Sequence, residues 1–348
     1  MKRQLGWGGG GWGAGPVIAW GALMVAAQQA SAAGFALVEQ SASGMGLSFA
    51  GAAASVEDAS ILFWNPAGMS RLAPGKHLAL AVHSINPSSR FSNTGTAAGI
   101  NRSDFGSEGG NAGNVGIVPN GYFAMDIDSR WNVGVGINVP FGLSTEYDPA
   151  WVGRFQGIKS EIKTLNINPS LSWKATDQLA LGFGVSYQQG EIDLLTGVNY
   201  KGLVFGTALN GLVAANAEGQ SRVGLDGSGW GYNFGLMYDP TPATRFGFSY
   251  RSRVRQNLSG TVNFTGVPAA FGLSAALTAG TANGSVNLSV KTPDSASFSV
   301  AHKLGSRWDL LGDVTWTGWG VVKSLPLVRD TGATLDTLSF NFRNTLRY

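Results

Sequence analysis

The chain has 348 residues, 51 of them glycine, with no cysteine, 13% charged residues and a formal net charge of +3. This composition is too apolar and glycine-rich for an ordinary soluble domain, yet no long purely apolar run follows the first residues, which argues against membrane helices. The alternating strands of a transmembrane β-barrel satisfy both observations. The charge gives no indication of a nucleic-acid partner, and the lack of cysteine excludes disulfides and thiol chemistry.

Residues 1–32 are predicted to be a secretory signal peptide. Lys2 and Arg3 precede an apolar run that ends at Ala27, and Ala30-Ser31-Ala32 supplies a cleavage site of small residues. The apolar run is too short to span a bilayer. We therefore expect cleavage and export; the alternative is an uncleaved amphiphilic anchor.

Residues 33–73 are predicted to form a plug, because they lack the alternating pattern of the rest. They are rich in small residues, carry few charges and close on Asn65-Pro66-Ala67. In such a turn the proline fixes φ and the asparagine can bond to the backbone that follows. We expect Asn65, Pro66 and Ala67 to hold the plug against the barrel wall, although a plain folding turn would have the same sequence.

Residues 74–348 are predicted to form the barrel, since alternating blocks are separated by short turns on one side and long polar loops on the other. About ten strands are expected, at 77–91, 115–127, 131–147, 161–174, 179–195, 230–238, 245–264, 286–303, 308–328 and 335–348. Aromatic residues near strand ends are typical of interfacial girdles, although the core of a soluble β-sandwich would also contain them. The set is Trp131, Tyr147, Trp173, Tyr187, Trp230, Tyr238, Trp308, Trp316 and Trp319.

The strand predicted over 131–147 contains Pro140 and Gly142. Proline removes a ladder donor and glycine marks bulges, so the strand should break there and leave a gap to a neighbour. A bulge that only turns a barrel corner is the alternative.

Three arginines share one parity in the strand predicted over 245–264. They are Arg251, Arg253 and Arg255, and the aromatic residues of opposite parity are Phe246, Phe248 and Tyr250. This alternation predicts a basic ladder in the lumen and aromatic side chains toward lipid. The arginines would pair with carboxylates of the plug or meet an anionic head group.

Short motifs are distributed along nearly the whole mature chain. They are Ser43-Gly44-Met45-Gly46, Asn65-Pro66-Ala67, Val118-Pro119-Asn120, residues 141–147, Gly229-Trp230-Gly231-Tyr232, Tyr250-Arg251-Ser252 and residues 342–347. In this ordered set the chain resembles the FadL/TodX family of outer-membrane transporters for long-chain fatty acids and other hydrophobic compounds. The resemblance implies a monomeric, fourteen-stranded barrel, an N-terminal hatch inside it, and lateral exit of ligand through the wall. In the family several strands follow the stretch like 342–347, so we expect a C-terminally truncated chain; a smaller closed barrel is the alternative.

The predicted function is passive diffusion of hydrophobic small molecules across the outer membrane, with outer-membrane lipid around the barrel. The lateral window is expected at Pro140, Phe141 and Gly142. Ligand contacts are expected from the plug and from two leucines where the resemblance implies basic groups; the residues are Phe35, Leu37, Leu62, Phe63, Leu194 and Leu338. The leucines favour a neutral hydrocarbon, since an unpaired carboxylate is costly to bury, but the arginines could substitute, so fatty acid and hydrocarbon both stay open.

No enzymatic activity, cofactor or metal site is predicted. A barrel-type phospholipase remains an alternative because His77 and His83 share a face, although no Ser-centred motif accompanies them or His302. A general polar porin is the other alternative, and it requires an open lumen rather than a plugged one.

Overall fold

A computed structural model describes residues 34–95 and 105–348, so the predicted signal peptide lies outside the described residues. These residues form a single antiparallel sheet of fifteen strands. The strands are β1 (Lys76–Ile85), β2 (Gly116–Asp126), β3 (Trp131–Asn138), β4 (Gly142–Glu146), β5 (Lys159–Lys174), β6 (Leu179–Asn199), β7 (Glu218–Thr241), β8 (Thr244–Arg251), β9 (Arg255–Thr265), β10 (Gly284–Lys291), β11 (Ser295–Leu304), β12 (Trp308–Thr317), β13 (Ser324–Arg329), β14 (Thr334–Ser339) and β15 (Thr345–Arg347).

The ten predicted strands become fifteen because five of them are interrupted. β3 and β4 both pair with β5, and β8 and β9 both pair with β7. Likewise, β10 pairs with β9 and β11 with β8. On the next crossing β13 pairs with β10 and β12 with β11, and on the last β14 pairs with β13 and β15 with β12. The chain therefore crosses the sheet ten times, as the alternation predicted.

Only the interruption between β3 and β4 was expected, and continuity over 245–264, 286–303, 308–328 and 335–348 is wrong. At two of these breaks, a side chain from the neighbouring crossing replaces a ladder partner. The Thr292 Oγ1 accepts from the backbone N of Val254 at 3.1 Å, and the Asn344 Oδ1 accepts from the N of Gly320 at 2.9 Å. Pro293, which has no N–H, lies in one of these breaks.

The segment between the strands predicted at 179–195 and 230–238 is shorter than expected. It contains a helix α3 (Tyr200–Leu203) and a 3-10 helix (Ala208–Leu212), and β7 then begins at Glu218. Within 218–229 the buried Val223 and Leu225 alternate with the exposed Arg222 and Asp226. Because the outer residues of this stretch are charged or glycine, apolar alternation does not predict the strand. The later loop, between β9 and β10, contains a 3-10 helix (Ala269–Leu273) and a helix α4 (Ala275–Gly280).

The sheet has an inner face of buried side chains and an outer face of exposed ones. Near the short turns the outer face is apolar: Leu78, Leu80 and Val82 of β1 are 68–72% exposed. Near the long loops the outer face is polar, as at Asn257 and Ser259 of β9. A contiguous exposed apolar surface of this kind normally lies against another apolar medium.

The N-terminal segment, residues 34–72, packs on the inner face. It contains two short helices, α1 (Ala42–Gly46) and α2 (Ile61–Trp64), and a 3-10 helix (Pro66–Arg71). Its Leu62 and Met69 are fully buried in a cluster with Tyr122 and Ala124 of β2.

At the two ends of the strand order, β1 pairs with β2 alone and β15 with β12 alone. Within residues 34–95 and 105–348 the sheet is therefore not closed between β1 and β15. None of the helices in those ranges has the length and apolar character needed to cross a membrane.

Candidate functional site

Asn65 fixes the N-terminal segment to the sheet. Its side chain is fully buried, and its Nδ2 donates to the carbonyl oxygens of Ala53 at 2.7 Å and of Leu236, in β7, at 3.0 Å. Its Oδ1 accepts from the backbone N of Ala67 at 3.1 Å, which forms the turn expected for Asn65-Pro66-Ala67. One amide thus joins two parts of the segment to a strand of the sheet.

Two inner-face glycines allow this close approach. An ideal Cβ on Gly182 would lie 2.2 Å from the backbone N of Ala67, and one on Gly235 would lie 2.0 Å from the Asn65 Oδ1. Any larger residue at either position would therefore move the segment off β6 and β7. Ser172 of β5 adds a hydrogen bond to the carbonyl oxygen of Ala67 at 3.1 Å. The turn is thus held by β5, β6 and β7 rather than by the strand that contains Pro140.

The predicted break at Pro140 is present and lies beside an unpaired stretch of β2. The β2–β3 ladder ends at the pair Gly121 and Ile137, and β4 pairs with β5. Residues 116–120 of β2 pair with β1 and with no other named strand among the described residues. An isolated bridge between Gly113 and Thr145 bounds the far end. A gap in the backbone ladder therefore separates β2 from β4.

The start of the N-terminal segment hydrogen-bonds to both margins of this gap. On the β3–β4 side, the N of Leu37 donates to the carbonyl oxygen of Pro140 at 3.0 Å, and the N of Gly142 donates to that of Phe35 at 2.9 Å. On the β2 side, the Asn120 Nδ2 donates to the carbonyl oxygen of Glu39 at 2.8 Å. The two bonds on the β3–β4 side satisfy backbone groups that the broken ladder leaves free, and the bond on the β2 side is made by a side chain.

Phe35 is the centre of an aromatic cluster whose other members lie where strands are interrupted. Its ring lies 4.8 Å from that of Trp319, 5.6 Å from Phe141 and 6.4 Å from Phe342, centroid to centroid. Trp319 is 1% exposed, so its prediction as an interfacial girdle residue is wrong. It lies in the break between β12 and β13, where the alternation that would have placed it on the outer face is lost.

A cavity of about 790 Å³ lies between the N-terminal segment and the inner face. Its apolar wall includes Leu37, Phe63, Phe141 and Trp319. A volume of this size and an apolar lining with a few polar groups are typical of small-molecule sites.

The structure brings together some of the predicted ligand contacts and separates others. Leu37 and Phe63 line the cavity, together with Pro140 and Phe141, where a lateral window was predicted. The other predicted contacts lie elsewhere. Phe35 lies in the aromatic cluster, and Leu62 lies in the cluster with Tyr122 and Ala124 of β2. Leu194 packs against an apolar cluster near the long loops, and Leu338 is opposite Leu325 in the β13–β14 pair.

The arginines do not form a continuous ladder. Arg251 faces inward and lines the cavity, with Phe246, Phe248 and Tyr250 on the opposite face of β8. After the break at 252–254 the parity shifts by one residue, because in β9 it is Gln256 and Leu258 that are buried. Arg255 is therefore exposed on the outer face, and Arg253, within the break, pairs with Asp294 through its Nε at 2.9 Å.

A belt of amide side chains on the inner face was not predicted from the sequence. Asn138, Asn166 and Gln188 occupy one register row across β3, β5 and β6, and Asn168 bonds to Asn233 of β7. Each is 3% exposed or less. The available signal was the alternation of polar residues through β5, in which every second residue from 166 to 172 is Asn or Ser.

The three histidines contact different residues and not one another. The His83 Nδ1 lies 3.1 Å from the Met45 Sδ, and the His302 Nδ1 lies 2.9 Å from the Thr244 Oγ1. The His77 Nε2 lies 2.7 Å from the carbonyl oxygen of Ala73. No imidazole of the described chain is thus seen beside a serine hydroxyl.

Comparison with known proteins places this architecture in one family. Residues 23–348 match the family described as outer membrane protein transport protein (OMPP1/FadL/TodX). Outer membrane protein P1 of Haemophilus influenzae is 28% identical over 87% of this chain and 70% of its own length. The long-chain fatty acid transport protein of Escherichia coli K12 is 25% identical over 94% of this chain and 76% of its own.

Solved structures agree with this assignment. The crystal structure of a Pseudomonas aeruginosa FadL homologue has a TM-score of 0.77 and 25% identity, covering 90% of this chain and 76% of that one. The Ralstonia pickettii toluene transporter TbuX has the same fold, with a TM-score of 0.62 and 20% identity over 89% of this chain and 80% of its own. This chain is an outer-membrane protein and belongs to the OMPP1/FadL/TodX family of outer-membrane transport proteins.

Proposed function

We propose that this protein carries hydrophobic small molecules across the outer membrane by passive diffusion, that residues 33–73 act as a plug, and that ligand leaves laterally through the gap between β2 and β4. The observation that carries the proposal is the gap itself. Its margins are joined by the start of the N-terminal segment instead of by a β-ladder.

The gap and the cavity are adjacent. Pro140 and Phe141 belong both to the break in the strand and to the cavity wall, as does Leu37, which bonds to Pro140. A ligand in the cavity would reach the lipid by displacing residues 35–37 from the gap. Because the outer face near the short turns is apolar, the exit would open toward hydrocarbon.

The plug is supported by the way the segment is held. Asn65 ties it to β7, and the Arg71 Nε forms an ion pair with the Asp239 Oδ2 at 2.6 Å, near the turn between β7 and β8. These attachments lie away from residues 35–37, so the start of the segment can leave the gap while the rest stays attached. We propose residues 1–32 as the exported leader and 74–348 as the surrounding wall.

The ligand class follows from the cavity and from the relatives. Relatives are named as transporters of long-chain fatty acids and of toluene. Apolar ligands gain roughly 2.5 kcal/mol per ~100 Å² of surface buried, and an apolar cavity of about 790 Å³ suits either class.

The test is to repair the broken strand. In the double variant Pro140→Val and Gly142→Val, position 140 regains an N–H for the ladder, and a side chain at position 142 would lie 3.0 Å from the Leu37 Cδ1. We expect uptake of radiolabelled fatty acid and of toluene to fall to the level of cells lacking the protein. The folded barrel should still show heat-modifiable migration on gels.

A matched control changes the same residue types elsewhere. Pro169 and Gly224 lie on the outer face in β5 and β7, and a Cβ on Gly224 would meet nothing within 4 Å. Pro169→Val with Gly224→Val should leave uptake unchanged. Undiminished uptake by the variant at 140 and 142 would refute the lateral route. Large steady conductance of the unmodified protein in planar bilayers would refute the plug and favour a general porin.

A further inference from the structure

The outer face of the sheet changes from apolar to polar across the strand interruptions. On the short-turn side, Phe248 of β8, Phe298 of β11 and Val314 of β12 form one register row and are 38–52% exposed. On the long-loop side, Asn257 of β9 and Ser289 of β10 form an exposed pair. In outer-membrane barrels the long loops face the cell exterior, so this boundary marks the interface between hydrocarbon and water in the outer leaflet.

A pair of cations lies at this boundary. Arg255 of β9 and Lys291 of β10 are directly opposite each other in the ladder, and both are exposed on the outer face. Like charges directly opposite on adjacent strands are destabilising. Neither has a carboxylate partner within residues 34–95 and 105–348, and the nearby Asp294 pairs with Arg253 at 2.9 Å. The two positive charges therefore lack a counter-charge from the described chain.

Two more cations lie on the neighbouring crossings. Lys323 immediately precedes β13, which pairs with β10, and Arg343 lies in the break between β14 and β15. Both are exposed, and neither has a carboxylate partner in the described part of the chain. With Arg253 they line a recess of about 590 Å³. Arg253 is exposed between the buried Ser252 and Val254, so the recess lies on the outer face.

An exposed indole lies beside Arg255. Trp230 of β7 is 67% exposed. Ser228 pairs with Asn257 in the β7–β9 ladder, so Trp230, two residues further on, lies across from Arg255. Tyr187 of β6 is opposite Trp230, and the two rings lie 4.9 Å apart, centroid to centroid. Because exposed Trp and Tyr side chains of membrane proteins lie at the level of the lipid head groups, the cations lie at that level too.

We propose that the pair Arg255 and Lys291, together with Lys323 and Arg343, binds the phosphate head group of an anionic lipid in the outer leaflet. A phosphate monoester carries about 1.5 to 2 negative charges at neutral pH and three acceptor oxygens, so one head group can neutralise both members of the cross-strand pair. The acyl chains would lie on the apolar row on the short-turn side. A free phosphate ion would leave that row unused, which favours a lipid. The site lies on the opposite face of the sheet from the cavity, so it goes beyond the proposed function.

The test compares two lipids with the same acyl chains. Dioleoylphosphatidic acid has a phosphate monoester as its head group, whereas dioleoylphosphatidylcholine is a zwitterion. Each is titrated into the mature protein in dodecylmaltoside micelles at about 0.15 M ammonium acetate, and apparent dissociation constants are measured by native mass spectrometry. We expect phosphatidic acid to bind at least about 10-fold more tightly, because each cation near an anionic head group adds to the attraction.

Removing the cross-strand pair should remove this preference. In the double variant Arg255→Gln and Lys291→Gln, the affinity for phosphatidic acid should fall by at least about 10-fold, and that for phosphatidylcholine should stay within about 3-fold. Lys291→Glu tests the same site with the arginine kept. The carboxylate would supply Arg255 with a counter-charge across the ladder, so the affinity for phosphatidic acid should fall by a similar factor while the barrel stays folded and heat-modifiable.

A matched control removes two cations that already have partners. Lys163 of β5 and Arg222 of β7 are exposed on the same face nearer the long loops, and each pairs with a carboxylate at 2.9 Å. In Lys163→Gln with Arg222→Gln, both affinities should stay within about 3-fold of those of the unmodified protein.

Three results would overturn the site. They are equal binding of the two lipids by the unmodified protein, an unchanged preference in Lys291→Glu, and a loss in the control as large as that in the variant at 255 and 291. Displacement of phosphatidic acid by millimolar inorganic phosphate would overturn the assignment to a lipid in favour of a free anion. Uptake of hydrophobic compounds should be the same in all these variants, so this proposal and the proposed function can fail separately.

Discussion

Replacing Asn65 by alanine should loosen the N-terminal segment from the sheet. The substitution removes three hydrogen bonds, to Ala53, Leu236 and Ala67, at 2.7 to 3.1 Å. Only the bond to Leu236 reaches the sheet, and the bonds to Ala53 and Ala67 hold the segment's own fold. At about 1 kcal/mol net per bond, the state in which the segment is both folded and docked should lose about 3 kcal/mol. That corresponds to a shift of about 100-fold toward the undocked segment.

Hydrogen exchange measures this loss directly. In nanodiscs, amides of residues 42–71 should exchange about 100-fold faster in Asn65→Ala, whereas amides of β5 and β6 should keep their protection. In planar bilayers the same variant should show more frequent channel openings, since an undocked segment no longer fills the space inside the wall.

The control is Asn263→Ala. Asn263 is exposed on the outer face of β9, where its Nδ2 donates to the Thr261 Oγ1 at 3.3 Å, so its removal should change the free energy of docking by less than about 0.5 kcal/mol. If Asn65→Ala shows the exchange rates and conductance of this control, Asn65 does not anchor the segment and the reasoning from its buried hydrogen bonds fails.

Two further substitutions address the same attachment. Gly182→Ala puts a Cβ 2.2 Å from the backbone N of Ala67, so the segment should undock and become open to protease cleavage within residues 34–72. In the control Gly224→Ala the added Cβ meets nothing within 4 Å, and the segment should stay resistant. Equal resistance of the two variants would contradict the close approach. Arg71→Leu removes the ion pair with Asp239, but Asp239 keeps its pair with Arg245. We therefore expect the opening free energy of residues 66–71, measured by hydrogen exchange, to fall by only about 1 to 2 kcal/mol. A loss as large as that in Asn65→Ala would show that this estimate is wrong.

Features that depend on local covalent chemistry were predictable from the sequence. The break at Pro140 follows from a missing N–H, the turn at Asn65 follows from the proline and amide within it, and the inward position of Arg251 follows from alternation along an unbroken strand. The ten crossings of the sheet follow from the same alternation.

Features that depend on partners distant in the chain were not predictable. The break after Arg251 is completed by Thr292, whose hydroxyl bonds to Val254 from the next crossing. A break shifts the alternation by one residue, which is why Arg255 lies outside although its parity matches that of Arg251. Parity is therefore informative only within one uninterrupted strand.

Residue types and their spacing were sufficient to predict the family, an alternating sheet and a candidate gap. Which residues fill the gap and which face the cavity depended on contacts made in the folded chain. Phe35 lies between Phe141, Trp319 and Phe342, residues from three separate breaks, and Leu37 and Phe63 line the cavity whereas Leu194 and Leu338 do not. Contacts between crossings far apart in the chain set these positions, and no local pattern contains them.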